Sequence, residues 1–130
     1  EAKTEAEAIA HAMELEARPE LIDAGAWEYE VERYIVQKRA KDLLSVKYAR
    51  DRKGALEMLG RELEVDSPRE LTRARVQAWY DSELAKLKSG EPQARSTSTL
   101  KHYLIHLSAF CKWMVAEDVL LESPIAKIQM

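Results

Sequence analysis

The sequence predicts an all-α domain, and three observations carry that prediction. Ala, Leu, Glu, Lys and Arg, the strong helix formers, dominate the composition, while Gly and Pro number only four each. Apolar residues recur at i, i+3, i+4 and i+7 along several stretches, the spacing that lines one side of a helix. No segment sustains the apolar–polar alternation of a half-buried strand. At 130 residues the chain has the size of one domain and can bury a core without staples.

The elements follow in chain order. Residues 2–17, A-K-T-E-A-E-A-I-A-H-A-M-E-L-E-A, read as an acidic helix with a thin apolar stripe at Ile9 and Met13, stopped by Pro19. A loosely docked helix and a regulatory or assembly arm are the two readings of this segment. A break at Ala24-Gly25 leads into a second helix, about Ala26 to Leu44, whose buried side is Trp27, Val31, Tyr34 and Ile35. Lys38, Arg39 and Lys41 close it, and cations at a helix C-terminus suit the helix dipole.

Ser45 is placed to cap a third helix, Val46 to Leu63. Its apolar side is Tyr48, Ala49, Leu56, Leu59 and Leu63; Lys47, Arg50, Lys53 and Arg61 form a basic ridge on the other side. Arg52 is the misfit on the apolar side, expected to pair with a carboxylate or to snorkel. Ser67-Pro68-Arg69-Glu70 has capping-box spacing with Pro at the first helical position, which predicts a short turn of helix. Thr72 can cap a fourth long helix to about Lys88, with Val76, Trp79, Tyr80, Leu84 and Leu87 inward, ended by Gly90 and Pro92.

The last long helix, about Thr97 to Glu117, has the clearest periodicity: Leu100, Tyr103, Leu104, Leu107, Phe110, Cys111, Met114 and Val115. It is the expected centre of the core. Ser123-Pro124 starts one more short turn to Ile128.

The net charge of −3 conceals an asymmetry. Residues 1–32 carry two basic and ten acidic side chains, residues 33–61 nine and three, and residues 62–130 nine and ten. A local basic band can bind polyanions while the rest of the chain is acidic. The lone Cys111 excludes a disulfide within the chain and fits a reducing compartment. No run of about 18 apolar residues marks a transmembrane helix. The N-terminus lacks the layout of a signal peptide.

Catalytic motifs are missing. His102 and His106 are four apart, but no H-E-x-x-H pattern or acidic ligand accompanies them, so no metal and no cofactor is expected. His106 is expected at the flank of the packed helix and His102 exposed near its start. Cys111 falls on the core stripe and reads as a small buried apolar group. There is no Gly-rich phosphate loop and no defensible Ser/His/Asp set. Two features remain, the basic ridge opening the third helix and the run Ser96-Thr97-Ser98-Thr99 opening the last, followed by Lys101 and His102. Helix N-termini offer free N–H groups and positive dipole ends to phosphates, which hydroxyls and cations reinforce. If both starts lie on one side, they make a surface for DNA. Redundant capping and a solvated charged face are the bland alternatives.

Taken together, S-V-K-Y-A-R-D-R-K-G-A-L-E-M-L-G-R-E-L, L-T-R-A-R-V-Q-A-W-Y and S-T-S-T-L-K-H-Y-L-I-H-L-S-A-F-C-K-W-M-V-A-E-D-V-L-L-E-S-P-I-A-K-I resemble the N-terminal core-binding domain of tyrosine recombinases, the phage-integrase family. The last segment is the most telling: an aromatic helix with a Phe…Trp pair, an acidic turn, an apolar pair and an x-Pro-apolar-Ala step. The family usually has Asn where Ser123 precedes Pro124 here. The resemblance covers residues 26–130 and leaves residues 1–25 as an extra acidic helical arm.

The resemblance implies a compact, SAM-like bundle of four to five helices that forms a clamp around DNA with a catalytic domain expected after Met130. The strand-exchange residues belong to that second domain, so this chain alone is not expected to be an enzyme. Implied DNA contacts are Lys47, Tyr48, Arg50, Asp51 and Lys53 on one helix, and Ser96, Thr97, Ser98, Thr99, Lys101 and His102 on the other. The implied partners are double-stranded DNA at a recombination core site and other recombinase protomers, with no membrane, in a bacterial or archaeal cytoplasm near the nucleoid. The competing expectation is a helical protein–protein interaction module without nucleic-acid binding, which the acidic arm and the negative net charge favour.

Overall fold

The computed structural model describes residues 25–41 and 44–129. The expected arm helix at 2–17 lies outside the described residues. Four helices form the domain: α1 (Trp27–Ala40), α2 (Val46–Glu62), α3 (Arg73–Lys88) and α4 (Thr97–Ala116), with a 3-10 turn at Pro68–Glu70. The described residues contain no strand. The chain is an all-α bundle, as its composition and periodicity predict.

Side chains set the starts of three helices. Ser45, Thr72 and Ser96 each accept a hydrogen bond from a backbone N–H three residues on, those of Tyr48, Arg75 and Thr99. The expected capping box at Ser67 does not close. The Glu70 carboxylate instead accepts from the Asp66 N–H at 2.8 Å, and Pro68 opens only a single 3-10 turn. α1 ends at Ala40 rather than Leu44.

α2, α3 and α4 finish alike. The residue after each C-cap adopts the left-handed conformation, and two backbone bonds close the end. Those residues are Glu64 (φ 57°), Gly90 (φ 74°) and Asp118 (φ 63°). At α2 the Val65 N–H donates to the Gly60 carbonyl and the Glu64 N–H to that of Arg61. The Arg75 guanidinium, from α3, then donates to the Leu63 and Glu64 carbonyls at 2.9 Å each.

α1 packs along α2, and α4 touches α1, α2 and α3. An aromatic cluster joins them: Trp27 meets Phe110 edge-on at 5.2 Å between centroids, and Tyr34 lies 5.2 Å from Phe110 and 5.4 Å from Trp113. Leu56, Leu59, Leu100, Leu107 and Met114 are fully buried around it. Each such side chain contributes about 1.5–3 kcal/mol through its removal from water. Cys111 is buried among them, and burial pushes its thiol up to about 12, so no thiolate nucleophile forms at neutral pH.

Three core assignments change. Tyr48, expected inward, is 63% exposed; it stands one residue, about 100° around the helix, from buried Ala49. Leu87 is exposed near the end of α3, and Val115 is only half-buried. Trp113 and His106 are buried instead, and the Trp113 indole donates to the Gln37 side-chain carbonyl at 3.1 Å. Among the described residues Arg52 meets no carboxylate: its Nη1 donates to the Tyr34 hydroxyl at 2.9 Å, and its Nε is buried without a partner there.

Candidate nucleic-acid interface

The charge placed at helix starts separates α1 from the other three, since α3 too opens without an acidic residue, on Arg73 and Arg75. α1 obeys the dipole rule, with Glu28 and Glu30 in its first turn and Lys38 and Arg39 in its last. α2 and α4 have no acidic residue in the first turn. Lys47 sits in the first turn of α2 and Lys101 just after that of α4, where a cation meets the positive end of the dipole. That local disadvantage suits an external anion.

The hydroxyl run divides its work. Ser96 caps α4, and its Oγ donates to Thr99 Oγ1 at 3.0 Å. Thr97 and Ser98 are exposed and make no side-chain hydrogen bond among the described residues. Lys101 and His102 follow on the exposed surface. Capping therefore takes one hydroxyl and half-buries a second, leaving two for solvent.

Arg95, just ahead of the run, is a lock. Its guanidinium grips Glu62, the last residue of α2, through Nη2–Oε2 at 2.6 Å and Nη1–Oε1 at 2.8 Å, and bonds buried Glu83 at 3.0 Å. The Trp79 indole also donates to Glu62 at 3.0 Å, and Lys86 pairs with Glu83 at 2.9 Å. The hydrogen bonds from Arg95 hold the Glu62 carboxyl down at about 2, and the same partner raises Arg95.

This lock fixes a direction. The start of α4 lies at the end of α2, while Arg52 and Asp51, near the start of α2, act electrostatically on His106 halfway along α4. The two helices run antiparallel. With 17 residues, α2 is about 25 Å long. The two N-termini therefore stand at opposite ends of a shared surface and do not converge on one side.

The basic ridge also divides. Lys53 turns to α1, with Nζ 3.0 Å from Glu32 and 3.9 Å from Glu57; those carboxylates, Glu32 first, raise its pKa. Arg50 lines the same α1–α2 groove and is exposed. Lys47 and Tyr48 face solvent at the start of α2, as does Asp51 one turn on. Among the described residues, Lys47, Arg50 and Lys101 have no ion-pair partner.

His106 is buried, and its Nδ1 has no partner among the described residues. Burial first, then the charges of Arg52 and His102, lower it to about 4, so it is neutral at pH 7. The His102 ring stands 4.4 Å from it at 71°. The described residues hold no cluster of three metal-ligating side chains, and no helix among them is long and apolar enough to cross a membrane. No family model, curated protein or solved structure matches this chain. Two residues of the α4 surface carry no signal of their own in the sequence: Ile105, 62% exposed, and Lys112. Their spacing of i+4 and i+11 from Lys101 puts all three on one side of α4.

Proposed function

We propose that this chain is a DNA-binding domain of the phage-integrase type, which holds double-stranded DNA at a recombination core site alongside other recombinase protomers. The observation that carries the reading is the antiparallel α2–α4 surface, with exposed Lys47 and Tyr48 at one end and Thr97, Ser98, Lys101 and His102 towards the other. Lysines without carboxylate partners at two helix starts favour phosphate, and hydroxyls and a histidine can reach phosphates or base edges. Because the starts are about one α2 length apart, they meet separate stretches of the phosphate backbone. Lys53 has a smaller share, since Glu32 and Glu57 already neutralise it. The reaction chemistry lies outside this domain, whose contribution is grip and register.

The test is fluorescence anisotropy with duplex DNA across a salt series, comparing the parent chain with Lys47→Ala/Arg50→Ala/Lys101→Ala. The triple variant is expected to bind more weakly, with a log–log salt slope shallower by about 0.9 for each phosphate it no longer neutralises. Equal affinity and equal slope would remove the assigned face. A helical protein–protein module is the second reading, favoured by the apolar side chains that α1 and α2 leave in water, Val36 and Val46.

A further inference from the structure

Beyond α4 the chain forms a projecting turn. It reverses at Asp118 (φ 63°), and the Val119 and Leu120 N–H groups both close on the Met114 carbonyl, at 2.8 and 3.3 Å. Val119, Leu120, Ile125 and Ile128 pack against the core. Leu121 alone turns away from it and is 100% exposed. Asp118 and Glu122 lie to either side of Leu121 in sequence. Neither carboxylate has an ion-pair partner among the described residues.

A different surface offers the counterpart. Between α1 and α2 lies an open groove of about 580 Å³, lined by buried Ile35 and Ala49, by Val36 and Val46, and by Arg39 and Arg50. Val36 is 53% and Val46 57% exposed, so two β-branched apolar side chains face water beside two cations. Arg39 and Arg50 also lack a carboxylate partner among the described residues. We propose that this groove receives the Leu121 turn of a second copy of the chain, with Leu121 between Val36 and Val46 and the two carboxylates beside Arg39 and Arg50.

Shape and charge single out this occupant. A projecting apolar side chain fits a concave apolar site, and two free carboxylates meet two free cations. The turn is tied down on both sides, by Met114 before it and by buried Ile125 after it, so it loses little freedom on docking. Leu121 is fully exposed, so the turn does not reach the groove of its own chain, and the contact runs between copies. A single exposed leucine is ordinary on a protein surface. This one differs in having a matching site elsewhere on the same molecule. Turn and groove are separate surfaces, so the contact is heterologous, and each copy offers a groove to one neighbour and a turn to another. One turn in one groove is a small interface of the weak, transient class. The contact makes no use of nucleic acid, so its failure leaves the DNA reading standing. Arg50 belongs to both surfaces, and the test leaves it unchanged.

Sedimentation equilibrium on the full 130-residue chain without DNA, over a concentration series reaching the millimolar range, tests the contact. The average mass of the parent chain is expected to rise with concentration. Leu121→Asp and Val36→Asp/Val46→Asp change exposed positions only, and each variant is expected to stay monomeric. Their equimolar mixture is expected to regain association, since one variant keeps its groove and the other its turn. A parent chain that stays monomeric throughout overturns the proposal and leaves the groove to a different partner. Association that survives either substitution overturns it too, as does a mixture that stays monomeric. Added salt is expected to weaken the association of the parent chain, because the paired charges are exposed. Association that strengthens with salt removes the charge pairing on which the seating rests.

Discussion

Gly60 shows how one residue serves two elements. It lies within α2, where glycine costs about 1 kcal/mol relative to alanine. The Trp27 indole lies on it: a Cβ there would stand 2.4 Å from Trp27 Cδ1. The same indole donates to the Leu56 carbonyl at 2.8 Å, so the ring cannot slide away without breaking that bond. Gly60→Ala is therefore expected to lose about 1–3 kcal/mol by overpacking, despite its better helix propensity. Gly54 in the same helix meets nothing within 4 Å, and Gly54→Ala is expected to gain about 0.5–1 kcal/mol. Urea unfolding of the two variants reads the opposite signs directly. A loss at both positions would show that the Trp27 contact is not what distinguishes them. Periodicity alone could not reveal this, because it describes a helix against an anonymous core. Gly60 is explained only by a ring from another helix, and Tyr48 misled for the converse reason: an aromatic ring beside a buried sector looks buried until its neighbours are placed.

At the scale of elements, starts are more legible than ends. Ser45 and Thr72 announce their helices because a side-chain cap acts within three residues, whereas the hydroxyl run at Ser96 marks the start of the last helix without saying which hydroxyl caps it. The end of α3 is announced by Gly90, but α2 and α4 place Glu64 and Asp118 in the left-handed conformation that glycine would mark. The direction of α2 against α4 was not legible, since it rests on the Arg95–Glu62 contact between residues distant in sequence. That contact and His106 each give the α2–α4 pairing an acid dependence. Glu62 has its carboxyl lowered from 4.5 to about 2, so its stabilisation is present above the higher value and is lost as pH falls towards the lower. His106 is lowered from 6.5 to about 4, so the unfolded chain takes up its proton first and stability also falls as pH drops through that window. The unfolding free energy measured from pH 7 to pH 2 should decline in two overlapping stages. His106→Gln is expected to flatten the upper stage and Arg95→Ala the lower. An unchanged slope below pH 4.5 in Arg95→Ala would show that the Glu62 carboxyl owes its low value to something other than Arg95.

The described domain is organised around α4, which packs against α1, α2 and α3. Its central position was legible because its stripe is the longest and most regular in the sequence, and the fully buried set Leu100, Leu107, Phe110, Cys111 and Met114 follows that stripe. A cavity there loosens the packing against all three neighbours at once, so its effect should spread through the domain. Leu107→Ala is expected to cost about 2–5 kcal/mol, the range for a large-to-small change at a site that cannot collapse. It should do so without splitting the transition. Trp27, Trp79 and Trp113 sit on α1, α3 and α4, so indole fluorescence samples the neighbours as well as α4 itself. If α4 unites the bundle, fluorescence and far-ultraviolet circular dichroism will give coincident unfolding curves in the parent chain and in Leu107→Ala, shifted together to lower denaturant. A small domain whose helices share one core has no stable remainder once that core opens. Separation of the two curves in the variant would mean that the α1–α2 pair survives the loss of α4, and the Arg95–Glu62 lock would then be holding together two cores rather than closing one.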